Sequence, residues 1–242
     1  MISLIDIGNT AVKVYNCDGK NFLENFYILN KEIKYNELIN KLNNKVIITS
    51  VVPEISNELI KLLPIDTKVK VITHDDKFLF DFDNYEPKNS IGIDRLLAMQ
   101  GAVKDSYDKD IDYQYLVVVT VGTAITINVI DNYYKFVGGM IYPGPATMIK
   151  SLNYSTSLLP DFDITKNFKK IELATNTKDS IIAGVMNSSV LLIKNMNQIL
   201  NSNDITYYIT GGYAYLYRDY LQDIIFDDYL IAKGLLTFSI KL

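Results

Sequence analysis

The chain has 242 residues and is 48% apolar, enough for one large domain or two modest ones with a real core. Its 28 acidic residues exceed its 24 basic ones and no basic block occurs, which excludes the charge pattern of a duplex-binding protein. A single cysteine, Cys17, excludes a disulfide framework and a cysteine-based zinc site, so we expect a protein of the cytoplasm.

The predicted elements of the first half alternate between short strands and helices. Met1 leads directly into a strand-like run, and no apolar run reaches the roughly 18 residues of a membrane span, so neither secretion nor a membrane-spanning segment is expected. Apolar periodicity predicts strands at 2–7, 12–15, 22–29, 46–52 and 69–73, with helices at 37–42 and 54–63. This order is typical of a mixed sheet that carries helices.

The second half repeats the pattern of the first. Strands are predicted at 116–121, 125–130, 133–137 and 205–210, and helices at 145–152, 177–201, 214–221 and 229–238. Residues 4–15 (LIDIGNTAVKVY) resemble residues 118–129 (VVTVGTAITINV), with Gly8 opposite Gly122 and Asp6 opposite Thr120. We therefore expect an α/β protein of two similar mixed-sheet halves, 1–112 and 113–242. The alternative is that any two β-hairpins look alike over twelve residues.

The first motif with chemical content is the turn between the first two strands. Gly8 lets the backbone approach a phosphate closely, while Asn9 and Thr10 add side-chain donors. Asp6, at the end of a buried strand, is a candidate ligand of Mg²⁺, directly or through water. Strand alternation directs Lys13 toward the same phosphates. The alternative is a hairpin turn with no ligand.

A second motif opens the helix that follows the fifth strand. Gly92, Ile93, Asp94 and Arg95 come after an irregular segment that contains Tyr85, where a loop that holds a substrate is expected. The alternative is an acid that only complements the helix dipole, with the arginine as its surface neighbour.

Glycine-rich runs mark the second half. Residues 120–126 (TVGTAIT) form a strand, a turn and a strand, and residues 138–144 (GGMIYPG) are interpreted as exposed backbone before a helix that begins at Pro145. Turn chemistry alone also explains this composition. Further candidates are the run 156–160 (TSLLP), the pair Asn176 and Thr177, and the strand-to-helix turn of Thr210, Gly211 and Gly212.

Together and in this order, DIGNT, GIDR, VGTAIT, GGMIYPG, TSLLP, NT and TGG resemble the motifs of the type III pantothenate kinases. Each motif is short, but seven in register from residue 6 to residue 212 are specific. The resemblance implies the actin-like ATPase architecture of the acetate and sugar kinase, Hsp70 and actin superfamily, which is ribonuclease H-like. It also implies phosphorylation of pantothenate to 4'-phosphopantothenate by ATP, the first step of coenzyme A biosynthesis, in a homodimer that needs K⁺ or NH₄⁺.

The same resemblance implies a role for each matching residue. Asp94 matches the general base. The pantothenate site is expected at Tyr85, Gly92, Ile93, Asp94, Arg95 and Thr177. The ATP site is expected at Asp6, Gly8, Asn9, Thr10, Lys13, Gly122, Thr123, Gly211 and Gly212, with Mg²⁺ carried by the nucleotide near Asp6.

One position departs from the family pattern. Thr120 stands where the family has an acid associated with the monovalent cation, so both cation dependence and full activity depend on what a hydroxyl can do there. The rival interpretations are a non-catalytic regulatory or binding relative, and a kinase for another small alcohol. His74, which precedes the acidic pair Asp75 and Asp76, is interpreted as a solvated loop residue.

Overall fold

The computed structural model describes residues 1–164 and 170–239. The chain forms two compact units: unit 1 consists of Met1–Ile111 and Tyr229–Leu242, and unit 2 of Asp112–Asp228. No helix in these described ranges has the length and hydropathy that crossing a membrane requires.

Unit 1 is built on a five-stranded mixed sheet. Strands β1, β2 and β3 are antiparallel neighbours, and β4 and β5 extend the sheet parallel to β1, in the order β3-β2-β1-β4-β5. The elements are β1 (Ile2–Ile7), β2 (Ala11–Cys17), β3 (Phe22–Leu29), α1 (Tyr35–Ile39), β4 (Lys45–Ser50), α2 (Pro53–Leu62), β5 (Lys68–Val71) and α3 (Ile93–Asp108).

The central strand β1 is buried along its whole length, which is why it is almost continuously apolar. Its two polar residues are Ser3 and Asp6. The hydroxyl of Ser3 donates to Asn16 Oδ1 at 2.6 Å, so this end of the strand is satisfied inside the protein. The other end carries the buried carboxylate of Asp6.

Unit 2 repeats this topology with a strand order of β10-β9-β6-β7-β8. Each sheet has its first strand at the centre, two antiparallel strands on one side and two parallel strands on the other. The elements are β6 (Tyr115–Val121), β7 (Ala124–Asp131), β8 (Phe136–Pro143), α4 (Pro145–Ser155), α5 (Thr177–Lys194), α6 (Met196–Leu200), β9 (Ile205–Thr210) and β10 (Ile225–Phe226). The predicted α/β class with two similar mixed sheets is confirmed.

Several predicted boundaries in unit 2 were wrong. The glycine-rich run 138–144 is not a turn, because most of it belongs to β8 and pairs with β7 in an antiparallel register. The helix predicted at 177–201 is two helices that meet at Asn195. The helix predicted at 214–221 is a single 3₁₀ turn, Ala214–Tyr217, and the short strand β10 was not predicted.

A final helix, α7 (Leu230–Leu236), packs on α3 in unit 1. The division made from the sequence placed 113–242 entirely in the second half, and the structure corrects it for this segment. Two glycines allow the close approach: a Cβ on Gly101 would lie 1.9 Å from the Leu230 carbonyl oxygen, and one on Gly234 would lie 2.1 Å from that of Leu97. The buried carboxylate of Asp105 adds a polar contact by accepting from Lys233 at 2.6 Å.

Substitution of Gly101 by alanine is expected to destabilise the protein. The added methyl group meets rigid backbone of α7, and such overpacking typically costs about 1–3 kcal/mol. We expect the midpoint of thermal unfolding, followed by circular dichroism, to fall by roughly 2–4 °C per kcal/mol lost.

The matched control is Gly184→Ala in α5, where no heavy atom lies within 4 Å of the added Cβ. A helical glycine with open space around it gains about 0.5–1 kcal/mol as alanine. Equal midpoints for Gly101→Ala and the unsubstituted protein would contradict the close packing of α3 and α7.

Candidate functional site

The carboxylate of Asp6 lies at the end of β1 with only 6% of the residue exposed. Its Cα partners in the sheet are Lys13 on β2 and Thr49 on β4. Burial raises the pKa of Asp6 to about 6, Lys13 lowers it, and the carboxylate of Asp94 raises it. The charges of Lys13 and Asp94 therefore both act on the carboxylate of Asp6 within unit 1.

The turn after β1 is held by backbone hydrogen bonds. Gly8 N–H donates to the Ala11 carbonyl at 3.1 Å, and the Thr10 carbonyl accepts from Asn30 N–H at 3.0 Å. These bonds fix the backbone of Gly8, Asn9 and Thr10 at the end of the sheet where Asp6 lies.

Helix α3 begins with the predicted Gly92, Ile93, Asp94 and Arg95 segment. A Cβ on Gly92 would lie 2.4 Å from Asp94 Oδ1, so the glycine leaves the space that this carboxylate occupies. Ile93 is buried and anchors the first turn in the core. Asp94 is half-buried, so part of the residue is open to solvent.

Arg95 is 5% exposed and lies against Tyr85. Its Nη1 donates to the Tyr85 hydroxyl at 3.1 Å, and its guanidinium carbon lies 5.5 Å from the centre of the tyrosine ring. The contact fixes the direction of the guanidinium group. The structure thus brings Tyr85 and Arg95 together, although ten residues separate them.

His74 contributes to this region in a way that the sequence did not indicate. Its Nε2 lies 2.7 Å from the carbonyl oxygen of Ile91, the residue before Gly92, and the side chain is half-buried. His74 lies in a loop as predicted, but it is not fully solvated, because its ring contacts the Ile91 carbonyl. A contact over 17 residues leaves no local signal in the sequence.

In unit 2 the turn between β6 and β7 contacts the start of α4. Gly122 N–H donates to the Ala124 carbonyl at 2.9 Å, and the Thr123 carbonyl accepts from Gly144 N–H at 2.8 Å. The hydroxyl of Thr147 donates to the same Thr123 carbonyl at 2.7 Å. The start of α4 therefore supports this turn.

The turn after β9 packs on the end of β6. Gly211 has a φ of +106°, and a Cβ there would lie 2.3 Å from the Val121 carbonyl oxygen. Gly212 has no heavy atom within 4 Å of its Cβ position, and Tyr213 N–H donates to the Val121 carbonyl at 3.0 Å. Gly211 is thus required by the backbone, while Gly212 leaves open space beside the turn.

Thr120 occupies the position in β6 that Asp6 occupies in β1. Its Cα partners are Thr126 on β7 and Thr210 on β9, so a row of three threonines crosses the sheet. The Thr120 hydroxyl is buried and has no hydrogen-bond partner within the described residues. The row supplies neutral oxygens and no carboxylate.

Thr177 lies in a different part of unit 2, at the first turn of α5. Its N-cap residue, Asn176, accepts from Asp179 N–H at 3.0 Å, which fixes the start of the helix. Thr177 lines an open groove of about 920 Å³ between α4 and α5. Polar Ser180 and Ser188 and apolar Met148, Leu152, Leu159, Ile181 and Val185 also line it.

Metal-binding capacity rests on single side chains. Within the ranges 1–164 and 170–239, no three His, Cys, Asp or Glu side chains cluster as a metal site. Asp6 fits one ligand to a divalent ion, because it is a buried carboxylate whose ionisation a cation would favour. The Thr120 row does not fit a cation that needs a charged ligand.

Asp6→Asn is expected to stabilise the protein above pH 6 in the absence of nucleotide and metal. The raised pKa means that the folded state binds more protons than the unfolded one between about pH 4 and pH 6, so stability falls as pH rises through that window. Above that window, a rise in the Asp6 pKa from 3.8 to about 6 corresponds to a loss of about 3 kcal/mol of stability.

The measurement is urea unfolding of both proteins at pH 4 and pH 7.5, with Asp66→Asn at an exposed loop position as the control. The free energy of unfolding of Asp6→Asn should exceed that of the unsubstituted protein at pH 7.5 and match it at pH 4. Equal stability of Asp6→Asn and the unsubstituted protein at pH 7.5 would contradict the inference that the charge of Asp6 is buried without full compensation.

Comparison with known proteins is consistent along the whole chain. The sequence profile of type III pantothenate kinase matches residues 2–198. A type III pantothenate kinase of Ehrlichia canis is 27% identical over 91% of this chain and 88% of its own length. One from Thermosipho melanesiensis is 29% identical over 97% and 96% of the two chains.

Solved structures agree in fold. A putative Baf family transcriptional activator from Campylobacter jejuni is 25% identical, with a TM-score of 0.66 over 99% of this chain and 100% of that one. The activator of 2-hydroxyisocaproyl-CoA dehydratase from Clostridium difficile, solved with ADPNP, has a TM-score of 0.55 at 12% identity over 98% and 93% of the chains. With two actin-like mixed sheets and a profile match over most of its length, the chain belongs to the type III pantothenate kinase family, which phosphorylates pantothenate in coenzyme A biosynthesis.

Proposed function

We propose that Asp94 is the general base of pantothenate phosphorylation and that Asp6 lies beside the nucleotide. The observation that carries this is the buried carboxylate of Asp6 at the end of β1, directly before the turn of Gly8, Asn9 and Thr10, with the carboxylate of Asp94 close enough to raise its pKa. A carboxylate that accepts a proton and one that attracts a cation are thereby close together in unit 1. Phosphoryl transfer needs both, since it depends on positioning and on neutralisation of charge.

In the proposed reaction the primary hydroxyl of pantothenate attacks the γ-phosphorus of ATP. The new bond joins the hydroxyl oxygen to phosphorus, the bond from phosphorus to the bridging oxygen breaks, and ADP leaves. Asp94 accepts the hydroxyl proton during the attack, because a primary alcohol is too weak an acid to ionise beforehand. Asp6 would hold Mg²⁺ carried by the nucleotide, directly or through water, and the ion would supply neutralising charge.

The two glycine turns are the proposed phosphate-binding elements. The turn of unit 1 consists of Gly8, Asn9 and Thr10, with Lys13 as a nearby positive charge. The turn of unit 2 consists of Gly122 and Thr123. Gly211 and Gly212 are proposed to bind the adenosine, and the open space at Gly212 supports this because a flat base needs such a surface.

The pantothenate contacts are proposed at Tyr85, Gly92, Ile93 and Arg95 in unit 1 and at Thr177 in unit 2. The oriented guanidinium group of Arg95 suits the substrate's carboxylate. The α4 and α5 groove combines hydroxyl and apolar groups around Thr177, which suits a small molecule with both kinds of surface.

We also propose that the protein is a cytoplasmic homodimer and that K⁺ or NH₄⁺ has little effect on it. Large exposed apolar side chains, Tyr154, Leu158 and Leu191, support a dimer. Weak cation dependence is inferred from the neutral row around Thr120.

A non-catalytic regulator is the second candidate. Thr120 in place of an acid favours it, and a structural relative from Campylobacter jejuni carries the name of a putative transcriptional activator. Asp6, Asn9, Asp94 and Arg95 are all present, which favours the kinase.

The kinase predicts ADP release that depends on pantothenate. In a coupled assay with ATP, Mg²⁺ and pantothenate, the unsubstituted protein should turn over at similar rates with and without K⁺ or NH₄⁺. Asp94→Asn should lose about 10²–10⁴-fold in kcat, the typical contribution of general base catalysis.

Asp108→Asn at the other end of α3 is the matched control and should retain activity. No ADP release with pantothenate would favour the regulator, and release with a different alcohol would assign another substrate. Near-normal turnover by folded Asp94→Asn would exclude Asp94 as the base.

Replacement of Arg95 should weaken the binding of pantothenate more than the binding of ATP. Arg95→Lys keeps the charge but loses the planar fork, and a lost charge-assisted hydrogen bond of about 1.5 kcal/mol corresponds to roughly a tenfold rise in the KM for pantothenate. Tyr85→Phe, which removes the hydroxyl that orients the guanidinium group, should act in the same direction. Steady-state kinetics with each substrate varied would measure the split, and a larger effect on the KM for ATP would move Arg95 to the nucleotide site.

A further inference from the structure

The residue that follows the third strand makes the same backbone contact in both units. After β3, Asn30 N–H donates to the Thr10 carbonyl at 3.0 Å, and after β8, Gly144 N–H donates to the Thr123 carbonyl at 2.8 Å. Thr10 and Thr123 are the last turn residues before β2 and β7. Each glycine turn is therefore fastened at its final carbonyl by an equivalent position of the sheet.

Asn30 extends this contact with its side chain. Its Nδ2 donates to the Gly8 carbonyl at 2.9 Å and to the Asn9 carbonyl at 3.0 Å. Together with its backbone N–H, one residue thus binds three successive carbonyls of the turn. The Asn30 Oδ1 atom is buried without a partner among the described residues, and the two donated bonds offset the cost of burying it.

These bonds determine which way the turn presents its N–H groups. In a planar trans peptide the C=O and the N–H point in opposite directions. Because Asn30 holds the Gly8 and Asn9 carbonyls on its own side, the N–H groups of Asn9 and Thr10 are directed away from it. Successive N–H groups turned to one side form a concavity that binds anions, whereas a carbonyl turned there would repel a phosphate.

Unit 2 holds its turn at one carbonyl, that of Thr123, with different groups. A Cβ at Gly144 would lie 2.0 Å from the Gly122 carbonyl oxygen, so no side chain can be placed there. The hydroxyl of Thr147, in the first turn of α4, supplies the side-chain bond instead and donates to Thr123 at 2.7 Å.

We propose that Asn30 is a positioning residue for the phosphate turn of unit 1, with Thr147 as its counterpart in unit 2. Asn30 acts on nucleotide affinity through the orientation of the Gly8 to Thr10 peptides and does not bind pantothenate. The proposal rests on the proposed assignment of these turns to the phosphates of ATP.

The decisive variant is Asn30→Asp, which keeps the shape of the side chain but replaces its two N–H donors with an oxygen facing the carbonyls. Loss of these two hydrogen bonds should raise the Kd of ATP about tenfold, measured by calorimetry without pantothenate. The KM for ATP should rise by a similar factor while the KM for pantothenate stays within about twofold. Thr147→Val should also raise the Kd of ATP.

Asn25→Asp is the matched control, because Asn25 lies on the preceding strand β3 and donates to the Tyr229 hydroxyl at 2.6 Å in an exposed position. If circular dichroism shows that Asn30→Asp is unfolded, Asn30→Ser, which keeps one donor, decides the question and should show a smaller loss. ATP affinity equal to that of Asn25→Asp, or an equal rise in both KM values, would overturn the proposal.

The calorimetric readout separates this inference from the proposed function. If the unsubstituted protein binds ATP but does not phosphorylate pantothenate, the proposed function fails, while the Kd of ATP for Asn30→Asp still tests the role of Asn30. If the unsubstituted protein does not bind ATP, both are overturned.

Discussion

Burial of the Asp6 carboxylate is the constraint on which the candidate site of unit 1 depends. The sheet places this residue at the end of its central strand, where the surrounding apolar strands give little solvation and raise its pKa to about 6. Lys13 compensates only in part, and Asp94 adds repulsion. The buried negative charge destabilises the folded protein without a cation, and a bound cation would neutralise it. The fold therefore gives up stability at the position where a metal-bearing phosphate is proposed to bind.

The two units show how one topology carries different chemistry. The central strand has Asp6 between Lys13 and Thr49 in unit 1, and Thr120 between Thr126 and Thr210 in unit 2. Equivalent positions are therefore charged in one sheet and neutral in the other. The glycine turns that follow are fastened in the same way in both, so the backbones of the two halves are more alike than their side chains.

Much of the architecture was predictable because its signals are local. Continuous apolar runs located β1 and β6, and the glycines after them located both turns. Proline at 145 marked the start of α4. The composition of β8 misled the prediction, since Gly138 and Gly139 suggest a turn and only pairing with β7 makes them a strand.

Other parts of the site depend on contacts that sequence spacing does not reveal. His74 reaches Ile91 and Asn30 reaches Gly8, over separations of 17 and 22 residues. Neither residue stands in a motif, and each bonds to backbone carbonyls, which leave no side-chain pattern to recognise. The position of α7 is equally hidden, because glycines at 101 and 234 acquire meaning only once the two helices cross.

The packing of α7 on α3 affects how the chain folds while it is being translated. Helix α3 carries Asp94 and Arg95, yet the helix that covers it is encoded after all of unit 2. Domains generally fold as they leave the ribosome, so the second unit can fold as soon as it emerges while the first awaits its last segment. The order in which the two units are completed is then the reverse of the order in which they begin, and a chain that stops before residue 229 has an uncovered α3.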